Sequence, residues 1–524
     1  MNGARSLIET LLAHGVEVCF ANPGTSEMHL VQAMDAVPGF RGVLGLFEGV
    51  CTGAADGYGR MRGHPAATLL HLGAGLGNGI ANLHNARRAD TPILNLIGEH
   101  GRHHVPFDAP LTADIPGIAR PVSAWVRTSG TPEQLAQDGA DAVLATLTAR
   151  PNPEGAIATL VIPADCAWGE GAGRLAPARA LERQRNPFDA AAVPAAAATL
   201  SARSVLLLDG NALTQRGLAA VARIVEKTGT AVFTATFPAR VEGGPDVYPV
   251  RRLPYFPEQI AEALAEVEGL VLAGAQAPVS FFAYPSLPSS LVPEAVTPCV
   301  LARRDQDAAA ALEALADELD APAITATGRH AIAQVDIERP SGPLNTGAVS
   351  TLLAATAPAD AIVAVDSGGG GAAYTPMQRS VPHSWLNLTG GAIGQGGPVA
   401  VGAAIACPDR KVYALLGDGG AMYTNQFLWT AAREQLDITV VIYSNRAYNI
   451  LEVEYRRLGV NEIGADAGSL FNLDEPAIDW VMLARAQGVD AVQADTCEGF
   501  EAALLQAAER KGPFLIEAVL SGRR

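Results

Sequence analysis

The sequence predicts an α/β fold of three doubly wound parallel-sheet domains, on three observations. Short apolar runs that end in turn residues alternate with helical spacing along most of the chain, the pattern of strands in a parallel sheet covered by helices on both faces. Two linker-like stretches interrupt the alternation. A length of 524 residues, at roughly 100 to 200 residues per domain, accommodates about three units.

Taken in order, SLIETLLAHG has helical spacing and VEVCFANPG and FRGVLGLFE read as strands. A helix over GVCTGAADGYGRM, the strand AATLLHL, a helix near NGIANLHNARRA and the strand PILNLIG complete a first domain, residues 1–170. The linker GAGRLAPARALERQRNPFD follows. A central domain, 190–330, opens with SVLLLDGNAL and continues through TAVFTATFP and GLVLAGAQ. Past ERPSGPL, a third domain, 345–524, holds the strand candidates AIVAVDSGGGG, KVYALLGDGG, ITVVIYSN and FLIEAVL.

Composition narrows the class. Apolar residues at 49% and charged residues at 17% exclude a disordered chain. A net charge of −17 argues against nucleic acid or an anionic membrane as partner, although a local basic pocket for phosphate remains compatible with it. The six cysteines are scattered without a CxxC pair, so no zinc site or disulfide framework is expected. Glu9 and Glu17 interrupt the N-terminal apolar stretch, and no apolar run approaches the ~20 residues that cross a bilayer. The expectation is a soluble, cytoplasmic protein.

The segment from Lys411 to Leu451 carries the most chemistry. One strand ends in Gly417-Asp418-Gly419-Gly420 and the next in Ser444-Asn445, which sets Asp418 and Asn445 at the carboxyl ends of parallel strands, where open α/β sheets bind ligands. A carboxylate, an amide oxygen and a backbone carbonyl are hard ligands suited to Mg²⁺, and glycines let backbone N–H groups approach a diphosphate. Gly-Asp-Gly is also a common turn. Glu48 stands where an apolar strand gives way to a helix with no counter-ion beside it in sequence; a Glu in a first helical turn also simply favours the helix dipole.

GDG followed by 24 residues and then Ser444-Asn445, in place of the usual Asn-Asn, resembles the cofactor signature of thiamine diphosphate-dependent enzymes. That resemblance implies Asp418, Asn445 and the carbonyl of Ala447 as Mg²⁺ ligands, and it extends cofactor contact to Gly419, Gly420, Tyr448, Asn449 and Ile450. It implies that Glu48, before its GAADGYGRM helix, faces the pyrimidine N1′ of the cofactor. A carboxyl group there favours the imino tautomer, whose 4′-nitrogen is the internal base at C2. LTGGAIGQGGPVAVGAAIA matches the family segment in which a bulky residue, here Ile393, bends the cofactor while the Gly391 carbonyl accepts from its 4′-amino group. Ser367 and Gly368, in a loop that by itself reads equally as a flexible linker, match the family's second diphosphate loop. The fold implied is pyrimidine-binding, central and diphosphate-binding domains, with each site shared between subunits of a homodimer or of a homotetramer of two dimers.

Within that family, ANPGTSE, LLHLGAGLGNGIANLHNA and APLTADI look most like benzoylformate decarboxylase, where residues matching Thr25 and His71 line the substrate site. A lone His beside an apolar strand is also often a satisfied core residue. The central-domain segment APVSFFAYPSLP has no counterpart of that decarboxylase's second active-site His. Acetolactate synthase is the other match, but its pocket Trp is Glu454 here and its His before the catalytic Glu is Phe47. Glu454 reads either as an acceptor for a cationic or hydroxylated substrate group or as a solvated helix residue. His103 and His104 occupy a region where pyruvate decarboxylases carry a His pair, and loop histidines are equally often just exposed.

The expected activity is decarboxylation of a 2-oxo acid, with possible passage to an aldehyde or 2-oxo acid acceptor. The alternatives are an acetolactate synthase-like carboligase, FAD being the less expected cofactor, and a cofactor-binding subunit without turnover.

Overall fold

The computed structural model describes residues 1–150, 155–177, 181–245, 247–285, 287–323 and 337–521. The expected end of the central domain near residue 330 falls outside them. Among the described residues the chain forms three sheets, each mostly or wholly parallel.

The first sheet contains β1 (Val18–Asn22), β2 (Arg41–Leu44), β3 (Ala66–Leu70), β4 (Ile93–Glu99), β5 (Trp125–Thr128) and β6 (Ile157–Pro163), in the order β2-β1-β3-β4-β6-β5. All its pairings are parallel. β3 and β6 are buried throughout, as continuous apolar runs must be when helices cover both faces. The order reverses direction between β1 and β3, so the loops after Asn22 and Leu70 meet at the carboxyl edge.

The central sheet has the order β10-β8-β7-β11-β12, from β7 (Ser204–Leu208), β8 (Ala231–Thr234), β10 (Arg251–Arg252), β11 (Gly269–Ala273) and β12 (Cys299–Ala302). One strand of this stretch, β9 (Arg240–Gly243), leaves its neighbours and joins the third sheet. That sheet runs β17-β18-β16-β15-β13-β14-β9, with β13 (Ala361–Asp366), β14 (His383–Asn387), β15 (Val412–Gly417), β16 (Ile438–Ser444), β17 (Asp490–Ala494) and β18 (Phe514–Val519). β9 pairs antiparallel with β14, Val241 opposite Trp385. The third sheet is therefore parallel except at that edge, and its strand order reverses between β13 and β15.

The outer domains are joined by close helix packing. The Glu48–Arg62 helix lies on the Gly396–Ala406 helix, and both are almost wholly buried. Glycines allow the approach: a Cβ on Gly57 would stand 2.0 Å from the Val399 carbonyl oxygen, and one on Gly402 would stand 1.8 Å from that of Ala54. Beside this contact the buried pair Arg60–Asp56 closes at 2.6 Å. Arg60 also donates to the carbonyls of Asn387 at 2.6 Å and of Ala239, just before β9, at 3.1 Å, and Gln395 donates to Asp56, so one ion pair ties the first domain to the third sheet. A buried ion pair needs every remaining donor and acceptor satisfied, and these bonds do that.

Candidate active site

The loops after β13, β15 and β16 converge at the reversal point of the third sheet. Asp418 begins a short helix directly after β15 and is buried. Its carboxylate accepts from the Gly419 N–H at 2.8 Å and the Arg446 N–H at 2.6 Å, and Asn445 Oδ1 accepts from the Ala447 N–H at 3.2 Å. Burial pushes the Asp418 carboxyl above its ordinary range despite those backbone donors. Arg446 has φ +56°, a left-handed conformation that costs a non-glycine residue of order 1–3 kcal/mol. That turn brings Asp418, Asn445 and Ala447 into one corner. Tyr448 lies over Gly419, and Asn449 and Ile450 open the helix Asn449–Arg457, with Ile450 exposed.

Ser367 caps the four glycines that follow it: its Oγ accepts from the Gly370 N–H at 2.7 Å, and 368–371 form one helical turn rather than a linker. The Cβ position of Gly368 faces open space. Asp366 is the residue that sequence reasoning passed over here. Its Oδ2 accepts from the N–H groups of Gly394, Gln395 and Gly396 at 2.6, 2.7 and 3.1 Å. Those bonds fix the turn that carries Ile393 and Gly391. Asp366 Oδ1 is buried with no hydrogen-bond partner among the described residues, close to Gly420.

On the first domain, Glu48 heads its helix and is buried, and its carboxylate accepts from the Asn78 amide at 3.0 Å. Asn78 was missed because only helical folding of 72–89 brings it to Glu48. His71, at the end of β3, places Nδ1 2.9 Å from Glu27 Oε2 and 3.3 Å from Ser26 Oγ. Glu27 is fully buried and also accepts from the Gly24 N–H and the Ser26 hydroxyl, both at 2.8 Å. Thr25, exposed, begins the same short turn. Leu72, just after His71, has φ +48° and is buried, a second strained residue beside a proposed site residue.

The structure thus brings Thr25, Ser26, Glu27 and His71 together, and separately gathers Asp418, Asn445 and Ala447. His103 and His104 lie exposed on their loop, with ring contacts to Trp168 for His103 and to His100 and Phe107 for His104. Among the described residues no hydrogen bond or ring contact joins either to Glu48 or His71. Glu454 is not a solvated helix residue: the Tyr284 hydroxyl donates to it at 3.0 Å.

These residues fit a diphosphate cofactor and its cation. One buried carboxylate, one amide oxygen and one carbonyl form an incomplete oxygen set of the kind Mg²⁺ completes with phosphate and water. Among the described residues no group of three His, Cys, Asp or Glu competes for a metal. A strand-end glycine cradle, a capped Gly turn and a carboxyl helix-head on a second domain suit a diphosphate cofactor held between two domains. The family description "Thiamine pyrophosphate enzyme, N-terminal TPP binding domain" matches residues 1–118, and its C-terminal TPP binding counterpart matches 367–518. A Mycobacterium tuberculosis protein provisionally named acetolactate synthase large subunit IlvX is 47% identical over 99% of both chains. Benzoylformate decarboxylase of Pseudomonas aeruginosa is 30% identical over 97% of both. The solved 4-hydroxybenzoylformate decarboxylase of Rhodococcus jostii superposes with a TM-score of 0.83 at 24% identity, covering 100% of this chain and 99% of that one. The chain belongs to the thiamine pyrophosphate-dependent enzymes, in their decarboxylase and acetolactate synthase-like branch. Among the described residues no helix is long and apolar enough to cross a membrane.

Proposed function

We propose that this chain is a Mg²⁺-dependent 2-oxo acid decarboxylase with carboligase capacity, similar to benzoylformate decarboxylase, working as a homodimer or a homotetramer of two dimers. The observation that carries the reading is the Glu27–His71 pair at the carboxyl edge of the first sheet, an oriented imidazole where proton delivery follows loss of CO₂. Thiamine diphosphate, when bound, supplies an electron sink for the carbon–carbon bond that breaks. Asp418, Asn445 and the Ala447 carbonyl would hold Mg²⁺, with Ser367, Gly368, Gly419 and Gly420 toward the diphosphate. Glu48, kept in place by Asn78, would hold the proton at the pyrimidine N1′, and Ile393 would set the angle between the rings. Asp366 fixes the turn that supports Ile393 and the Gly391 carbonyl. Thr25 and His71 would orient the 2-oxo acid, and His71 would return a proton to the product. His103 and His104 would join that relay only from a neighbouring subunit or after loop movement.

The test is CO₂ release from aromatic, aliphatic and polar 2-oxo acids, with and without an acceptor aldehyde, in the presence of thiamine diphosphate and Mg²⁺. Release from at least one acid is expected, and none from any would overturn the reading.

A synthase-like carboligase is the reading that the name of the 47% identical relative supports, and room for FAD beside it would come from a cavity of about 760 Å³ between the first and central domains. Arg62, Arg183, Arg185, Arg216 and Arg240 line it together with Asp90 and Glu242; Arg183, Arg216 and Arg240 are paired with acids, and burial pushes Arg185 down to about 10. Purified protein with flavin absorption bands would favour this reading; colourless protein that releases CO₂ would exclude it.

A further inference from the structure

The helix Asn449–Arg457 leaves the proposed metal turn and runs to the central domain, where its last residues are locked in place. The Tyr284 hydroxyl donates to the Glu454 carboxylate, 3.0 and 3.2 Å from its two oxygens. Three residues further, Arg457 Nε stands 3.4 Å from Glu454 Oε2, and its Nη2 donates to Glu258 at 2.7 Å. The same guanidinium sits over Phe256 at 4.8 Å and over Tyr284 at 4.5 Å from the ring centroids. Glu454 is therefore already compensated. It is not left waiting for a cationic substrate group, one of the two roles its sequence position had allowed.

Tyr284 follows Phe281 by three residues, and Phe281 reaches the cofactor turn. A Cβ on Gly391 would lie 2.8 Å from Phe281 Cζ, and Gly391 has φ +79°, so the ring rests directly on backbone that only glycine supplies without strain. Phe281 packs against Phe237 at 5.6 Å, Tyr255 at 5.4 Å and Phe282 at 4.7 Å. Burial and the charge of Glu454 push the Tyr255 phenol up to about 12, so it stays a neutral member of the wall near neutral pH. Yet Phe281 is 41% and Phe282 53% exposed, two large rings open at the edge of the turn that carries Ile393.

We propose that Tyr284 and Glu454 form a positioning latch that holds Phe281 over Gly391 as one wall of the substrate pocket and thereby makes the pocket select a flat aromatic substituent. This rests on the 2-oxo acid reading above and adds the substrate class. Edge-to-face aromatic contact is directional, so a wall free to swing loses most of its preference for a flat ring. Neither Tyr284 nor Glu454 touches substrate in this account; both act through Phe281.

The experiment measures binding of two non-reacting carboxylates, benzoate and propionate, to the full chain loaded with thiamine diphosphate and Mg²⁺, by calorimetry. The wild type is expected to prefer benzoate. Tyr284→Phe and Glu454→Gln should each cut that preference about two- to tenfold, the double variant no further than either single one, and Phe281→Leu by a similar factor with the latch intact. Affinity for thiamine diphosphate should be unchanged in all, which separates a moved wall from a damaged metal turn. Equal binding of the two acids by wild type, or a preference kept in Tyr284→Phe, would overturn the latch. Turnover is scored apart from binding: preference lost in the variants of a protein that decarboxylates nothing sinks the proposed activity alone, and decarboxylation with preference intact in every variant sinks the latch alone.

Discussion

Glu48 is worth its burial only if something must be held against it. Its carboxylate has one hydrogen bond among the described residues, from Asn78. A Glu48→Gln change keeps size and the Asn78 contact but removes the acid. It is expected to lower kcat about 10²- to 10⁴-fold while leaving the melting temperature close to wild type, and to slow C2 proton exchange of bound cofactor measured by NMR. Normal exchange in the variant would remove Glu48 from cofactor activation. The residues legible in the sequence were those whose chemistry demands a fixed type at a fixed spacing: Asp418 with Asn445, and Glu48 at a strand-helix junction. Asn78, Glu27, Asp366 and Phe281 were not, for a physical reason. Each acts on a partner distant in sequence, and only packing makes the pair; Asp366 was read as part of a loop, and the segment around Phe281 only for the histidine it lacks.

Strands with uninterrupted apolar runs, such as β3, β13 and β16, stood out because burial on both faces writes itself into composition. β9 did not. Its four residues, Arg-Val-Glu-Gly, alternate half-buried with buried positions, the mark of an edge strand, and nothing local says which sheet it joins. Glycines in the Glu48–Arg62 helix were legible as a motif, but the structure gives their purpose. Gly402→Ala would push a Cβ into the Ala54 carbonyl, so the two helices must separate, at a cost of about 1–3 kcal/mol or more in urea unfolding. An unchanged midpoint would mean that the crossing has slack. At the β9–β14 edge, burial holds His383 below the ordinary imidazole value; its Nδ1 faces the Val381 carbonyl at 2.8 Å, and among the described residues Nε2 is buried without a partner and Glu242 and Arg410 are the charged neighbours. An imidazole with a lowered folded value takes up its proton at lower pH in the fold than in the unfolded chain. Its contribution is whole above pH 6.5 and is lost as pH falls below that, by at most about 1.4 kcal/mol per pH unit. Urea midpoints at pH 7.5 and 5.5 should therefore converge more closely in His383→Asn than in wild type.

At the scale of the whole molecule, the question is which chain completes which site. The acid head of the Glu48–Arg62 helix and the Asp418 corner lie on two domains whose mutual contact is made further along, between Gly53–Tyr58 and Pro398–Gly402. Glu48 has no hydrogen bond to the loops after β13, β15 or β16 among the described residues. A cofactor held at both ends by one chain would need those groups to face each other within it, whereas a two-fold dimer can supply the first domain of one subunit to the third domain of its partner. Mixing decides between them. Glu48→Gln and Asp418→Asn chains, each inactive alone, are unfolded, combined in equal amounts and refolded together. If sites are shared, half the dimers are mixed and each carries one site with both groups intact, so activity returns to about one quarter of wild type per chain. If each chain builds its own site, every site in the mixture lacks one group and no activity returns, whatever the oligomeric state.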